Sequence, residues 1–278
     1  MAAVSRTEVV RRFYDEAPFP GYPPNDTLAA CRARAARSRF ARLLDDAIPA
    51  DARVVEIGCG TGQMSLYLAH ADRLVIGTDI SRAALRLGHA AAQRFGITAV
   101  RFVETDLHHA ALTPASFDVV YSAGVLHHTA DPAAAFACIV RLARRSGFVV
   151  VGVYNAVARL PLRVRRGIAR LTGFRVVPFD PVLRARRDEP ERRLAWLRDQ
   201  YQHPEEHRHT IAEVKRWFVN NNVEYLRAYP STVFADDGRD LFTPAPDDWN
   251  VENWIAQIGW MRTLGREGGL FYAIGRRR

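Results

Sequence analysis

Lysine is almost missing from this chain: Lys215 stands alone among 39 basic residues in 278. Positive charge is therefore carried by arginine, whose planar fork suits carboxylates and phosphates better than a point charge does. Cysteine is scarce as well. Cys31, Cys59 and Cys138 lie far apart, with no zinc-like spacing, which argues against a metal-knit or disulfide-knit fold. No apolar run reaches the roughly 18 uncharged residues of a spanning helix, and Met1–Thr7 lacks the apolar core of a secretory leader. No internal repeat or low-complexity tract stands out. These absences predict a cytoplasmic, reduced protein with no metal and no membrane partner.

What is present begins with charge. The net +9 invites a nucleic-acid reading. Yet the charge is local. From Arg159 to Arg193, eleven arginines face only Asp180, Asp188, Glu189 and Glu191. Confinement to one stretch leaves two readings open, a solvated amphipathic face or a binding patch. The chain is long enough to bury a sizeable core as one domain with insertions.

The run Val54-Val55-Glu56-Ile57-Gly58-Cys59-Gly60-Thr61-Gly62-Gln63 carries most of the functional information. An apolar strand ends in an acid, glycines follow at alternate positions, and Gln63 to Ala69 is compatible with a helix. Such glycines let backbone approach a ligand closely. A dinucleotide fingerprint needs glycine where Gln63 stands. The spacing E-x-G-x-G-x-G instead resembles motif I of the class I S-adenosylmethionine (SAM) methyltransferases, whose loop holds the methionine end of SAM.

Later residues agree with that resemblance. Leu74 to Asp79 reads as a second strand ending in an acid, which at a strand tip can accept both ribose hydroxyls. A third strand, Val100 to Val103, leads into Glu104-Thr105-Asp106-Leu107, where the family places an acid on the adenine amino group. A fourth, Phe117 to Ser122, runs into Ala123-Gly124-Val125-Leu126-His127-His128, and a fifth spans Gly147 to Tyr154 after a helix over Asp131 to Arg145. The resemblance implies a Rossmann-like, doubly wound α/β sheet of seven strands with the last antiparallel. It also implies SAM as cofactor, held by Glu56 (at the amino group), Gly58, Cys59, Gly60, Gly62, Gln63, Asp79, Ile80, Thr105, Asp106, Leu107, Ala123 and Gly124.

Around residues 51–155, the expected cofactor core, stand three further segments. Residues 1–50 read as a helical extension: a first helix near Thr7 to Asp15, a proline-rich break, and a second helix from Thr27 to Ala47. Residues 156–210 form a basic, helical insertion. Residues 211–278 resume the core, with a possible capping box at Thr210 and Glu213, a strand at Val223–Ala228, a helix over Val251–Leu264 and a last strand at Leu270–Ile274. Insertions beside the carboxyl ends of parallel strands decide the substrate in open α/β sheets. Tyr14, Phe19, Tyr22, Tyr154 and Asn155 are therefore candidates for the acceptor side and its lid. The segment Asp199-Gln200-Tyr201-Gln202-His203-Pro204-Glu205-Glu206 resembles a bacterial branch of the same family without naming a substrate.

Methyl transfer is an in-line displacement, so the protein must position the acceptor, exclude water and, for a protonated acceptor, remove a proton. His127 and His128 lie where the family places its acceptor, and a histidine near neutral pKa suits a base. Tyr201, His203 and His207 in the insertion are the alternatives, although their spacing equally suits a structural hydrogen-bond cluster. A small-molecule acceptor in biosynthesis, with the protein a monomer or homodimer, is the expected function. An RNA or protein methyltransferase using the arginine-rich insertion is the rival. Ser122-Ala123-Gly124-Val125 stands where amino-directed nucleic-acid enzymes carry Asn/Asp-Pro-Pro-aromatic, which speaks against nucleic acid. A fold that uses SAM for some other reaction is the third reading.

Overall fold

The computed structural model describes residues 6–16, 18, 21–23, 25–185, 187–202, 206–246, 250–264 and 268–278. Within it, β1 (Arg53–Ile57), β2 (Leu74–Asp79), β3 (Val100–Glu104), β4 (Phe117–Ala123), β5 (Ala143–Tyr154), β6 (Val223–Tyr229) and β7 (Leu270–Arg277) form one sheet in the order β3-β2-β1-β4-β5-β7-β6. The first five strands pair in parallel. β7 enters antiparallel between β5 and β6, its start turned by Gly268 and Gly269 at positive φ.

Two cores flank the sheet because successive strand side chains face opposite ways. Val55 and Ile57 pack to one side with Phe136 of α6 (Pro132–Val140) and with Trp217 and Phe218 of α10 (Ile211–Asn220). Val54 packs to the other, with Phe40 and Leu44 of α3 (Arg39–Ala47) and Leu66 of α4 (Gln63–Leu68). On that side α5 (Arg82–Phe95) adds Ala91 and Ala92. Each large apolar side chain so buried contributes about 1.5–3 kcal/mol, which makes the sheet the rigid platform of the molecule.

Several boundaries differ from expectation, each for a local reason. The helix expected over Thr27–Ala47 is two, α2 (Leu28–Ala35) and α3, because Thr27 and Ser38 each accept a backbone N–H and start a helix of their own. α6 stops at Val140, and β5 starts early at Ala143, where a bulge precedes regular pairing from Phe148. The helix expected to reach Leu264 is α11 (Asn250–Gly259) and ends at a glycine. The capping box is half made: Thr210 accepts from Glu213 N, but the Glu213 carboxylate turns to His209 Nδ1 at 2.7 Å.

The remaining elements are α1 (Arg6–Glu16) and the insertion helices α7 (Leu160–Leu171), α8 (Pro181–Ala185) and α9 (Pro190–Leu197), the last followed by a π turn at Arg198–Gln202. None of the described helices is long and apolar enough to cross a membrane.

Candidate active site

Parallel register brings the strand tips together. Glu56 pairs with Gly77 and Asp79 with Glu104, so the acids that end β1 and β2 and the loop after β3 open on one side. There lies a cavity of about 390 Å³. Of the expected cofactor residues, Glu56, Gly58, Cys59, Gly60, Gln63, Asp79, Ile80, Thr105, Asp106, Leu107, Ala123 and Gly124 line it.

The glycine loop is shaped by two close approaches. At Gly58 (φ +70°) a Cβ would sit 2.2 Å from Val125 Cγ2, and at Gly62 (φ +76°) one would sit 2.4 Å from Phe102 Cε1. Gly62 is thereby corrected: it does not line the cavity but lets the loop pack against β3. Asp79 accepts Gly60 N and Ser81 N, each at 2.8 Å, so the loop backbone grips the β2 tip. Burial pushes the Asp79 carboxyl above its usual range, against those backbone donors.

Glu56 is buried, with the Ser65 hydroxyl donating to it. Desolvation pushes its carboxyl up to about 7; the Ser65 donors oppose this, and the Asp79 charge adds to it. A buried acid so poised is suited to take a cation. Burial pushes the Cys59 thiol well up, away from the thiolate form. The donor set fits SAM. A carboxylate offers about four acceptor positions; the two backbone bonds leave Asp79 capacity for the ribose hydroxyls. Asp106 accepts His108 N at 2.9 Å on one oxygen, which leaves the other for a further donor. Glu56, at the same wall, is the acid that the family resemblance sets against the ammonium group.

Residues that pattern reading did not single out close the cavity. Thr7 and Val10 of α1 join Tyr14 over it, and Asp15 ties that helix down by accepting Ser81 Oγ at 2.7 Å and Ala83 N at 3.3 Å. Tyr22 does not reach the cavity; its hydroxyl donates to Thr61 O at 2.8 Å and straps the extension to the glycine loop. Phe19 and His203 lie outside the described residues.

The neighbouring histidines separate. His128 lines the cavity, whereas His127 is fully buried behind it, its ring stacked on Tyr154 at 3.7 Å and its Nδ1 accepting Tyr154 N at 3.3 Å. That bond assigns the neutral Nε2–H tautomer to His127. Tyr154 does line the cavity, held by Gln200 Nε2 donating to its hydroxyl at 2.8 Å and by the Arg159 guanidinium 3.6 Å above its ring.

Tyr201 is corrected from catalytic candidate to core residue. It is fully buried among Leu162, Ala169 and Leu183, and its hydroxyl donates to Asp180 at 2.6 Å. Asn155 is structural too, accepting Val157 N and Ala158 N and donating to Gln257. His207 does not line the cavity; its backbone N–H donates to His127 O at 2.7 Å. Among the described residues no cluster of His, Cys, Asp and Glu is set to hold a metal ion.

Comparison with known proteins agrees with this geometry. Residues 55–151 match the family described as a methyltransferase domain. An uncharacterized methyltransferase of Mycobacterium tuberculosis is 32% identical over 141 residues, covering 50% of this chain and 67% of that protein. An uncharacterized Synechococcus protein is 28% identical over 86% of this chain and 66% of its own length. The chain spans about two thirds or less of the first curated relatives it matches. The solved magnesium protoporphyrin IX methyltransferase of Synechocystis, with bound S-adenosylhomocysteine, superposes with a TM-score of 0.59 at 17% identity, over 99% of this chain and 100% of that one. At such identity the likeness carries the fold. With the strand order, the glycine loop and these relatives together, the chain belongs to the class I SAM-dependent methyltransferases.

Proposed function

We propose that this protein transfers a methyl group from SAM to a small-molecule acceptor. The observation that carries this reading is the cover over the cavity. Thr7, Val10 and Tyr14 of α1 close a space of about 390 Å³, the size of a small-ligand site. The solved Synechocystis neighbour is itself named for a small-molecule substrate, magnesium protoporphyrin IX. Within the arginine-rich insertion, Arg159 and Arg166 are taken up inside the protein, both by Glu206 at 2.9 Å.

When bound, SAM supplies an activated methyl group. The protein then has three tasks. Asp79, Asp106 and Glu56 orient the cofactor. Leu107, Val125 and Tyr14 exclude water, which strengthens the remaining polar contacts. His128, at the cavity wall beside Thr129 and Tyr154, takes a proton from the acceptor or holds it by a hydrogen bond. In this reading residues 51–155 hold the cofactor, α1 in residues 1–50 covers it, and residues 156–210 back the acceptor side through Gln200 and Arg159 on Tyr154. The chemistry belongs to biosynthesis in this reading.

The test is to incubate the protein with methyl-labelled SAM and fractionated extract of the source cell. Label is expected in a small-molecule fraction, lost in Asp79→Ala. Label recovered in RNA or protein instead would sink the small-molecule reading.

A further inference from the structure

We propose that the outward face of α7 is a docking surface for an anionic lipid bilayer. The helix reads Leu160-Pro161-Leu162-Arg163-Val164-Arg165-Arg166-Gly167-Ile168-Ala169-Arg170-Leu171. Leu160, Val164, Ile168 and Leu171 recur at the spacing that makes one stripe of a helix. In a packed helix such a stripe faces the core. Here it faces out: Val164 is 64% and Leu171 89% exposed, while the buried side is only Leu162 and Ala169. Val176 and Phe179, just beyond the helix, are exposed as well. Contiguous exposed apolar surface of this kind marks an interaction site.

Charge decides what the partner is. On the helix, Arg163 and Arg170 border one side of the stripe, and Arg175 follows; Arg165, on the other side, turns in to Tyr201. Among the described residues the ion pairs of this segment run inward, from Arg159 and Arg166 to Glu206, and none joins Arg163, Arg170 or Arg175 to a carboxylate. A nucleic acid would satisfy the arginines but offer the leucines no apolar phase. An apolar protein groove would do the reverse. An anionic membrane interface meets both, taking the stripe into its acyl boundary and the guanidinium groups at its headgroups.

A second helix carries an exposed stripe of the same kind. On α11, Val251, Trp254, Ile255 and Ile258 are all at least half exposed, again at helical spacing. Asn155 links the two helices, accepting from the turn that opens α7 and donating to Gln257 in the last turn of α11. Asn155 follows Tyr154 of the cavity wall, which ties the start of α7 to the site. The lack of a spanning segment speaks only to crossing; in this proposal the protein lies on a bilayer.

Cosedimentation with sucrose-loaded vesicles, of phosphatidylcholine alone and with phosphatidylglycerol, tests this. Binding is expected to the anionic vesicles and to weaken with salt. Arg163→Gln or Arg170→Gln should each lower it about fivefold. Val164→Glu combined with Leu171→Glu should lower it at least about tenfold, with an unchanged melting curve because both side chains are exposed. No binding to anionic vesicles, or binding indifferent to the glutamates, overturns the proposal. So does sedimentation velocity showing a dimer that these glutamates dissolve, or RNA binding that replaces vesicle binding.

Discussion

Asp15 Oδ1 accepts a hydrogen bond from the Ser81 hydroxyl at 2.7 Å, joining the helix over the cavity to the loop that follows Asp79. Ser81 also accepts Ala84 N to start α5, so cover and cofactor loop share one anchor. Removing the carboxylate leaves the rest of α1 in place but frees its far end.

Asp15→Ala should therefore speed cofactor release about fivefold, the loss of roughly one net hydrogen bond, with little change in global stability. Stopped-flow fluorescence of S-adenosylhomocysteine release measures it. An unchanged release rate would separate α1 from closure.

Asp79→Ala should cost about 1–3 kcal/mol of SAM binding, because two buried hydroxyls lose their acceptor. Calorimetry reads this directly, and unchanged affinity in a folded variant would refute the ribose assignment.

Glu56 predicts a pH dependence whose sign follows from burial. Its folded pKa of about 7 lies above the ordinary 4.5. Stability from the neutral carboxyl is present below pH 4.5 and is lost as pH rises through 7. The ligand-free protein should thus melt progressively lower across that window, and Glu56→Gln should flatten the decline. SAM affinity should move oppositely, rising toward pH 7 as the carboxylate forms for the ammonium group. Calorimetry in buffers of different ionisation enthalpy should show proton release on binding below pH 7.

The two histidines should respond differently. His128→Asn is expected to lower turnover by ~10²–10⁴ with SAM affinity nearly unchanged, provided the acceptor loses a proton. His127→Asn should instead lower the melting temperature, by loss of the Tyr154 stack and the Nδ1 bond, at roughly 1–3 kcal/mol. Kinetics and melting of the two variants check the pair; the opposite pattern would exchange their roles.

Much of the cofactor half was legible because its signals are local. A strand and its tip occupy five or six consecutive residues, and parallel pairing then brings successive tips to one edge. The places of Glu56 and Asp79 follow from that rule, whereas the roles of Glu56 and Asp106 come from the family resemblance. Asp15 was not legible: its partner Ser81 is 66 positions away, and a lone acid on an exposed helix has no pattern. Nor was the split between His127 and His128, since the short turn at Leu126–His128 sends adjacent side chains in different directions. Tyr201 shows the converse, a polar residue in a suggestive segment whose hydroxyl is taken up inside the core by Asp180.

α7 marks the boundary between the two kinds of information. Its sequence alone determined a helix with an apolar stripe bordered by arginines, because both helical period and charge are properties of neighbouring residues. Which side of that helix would meet the protein was decided only in three dimensions. Arg159 and Arg166 are drawn inward by Glu206, and Leu162 and Ala169 fill the space against Leu183 and Tyr201. A helix can bury only one face in a given groove; once that narrow face was taken, the broader apolar stripe was left pointing outward.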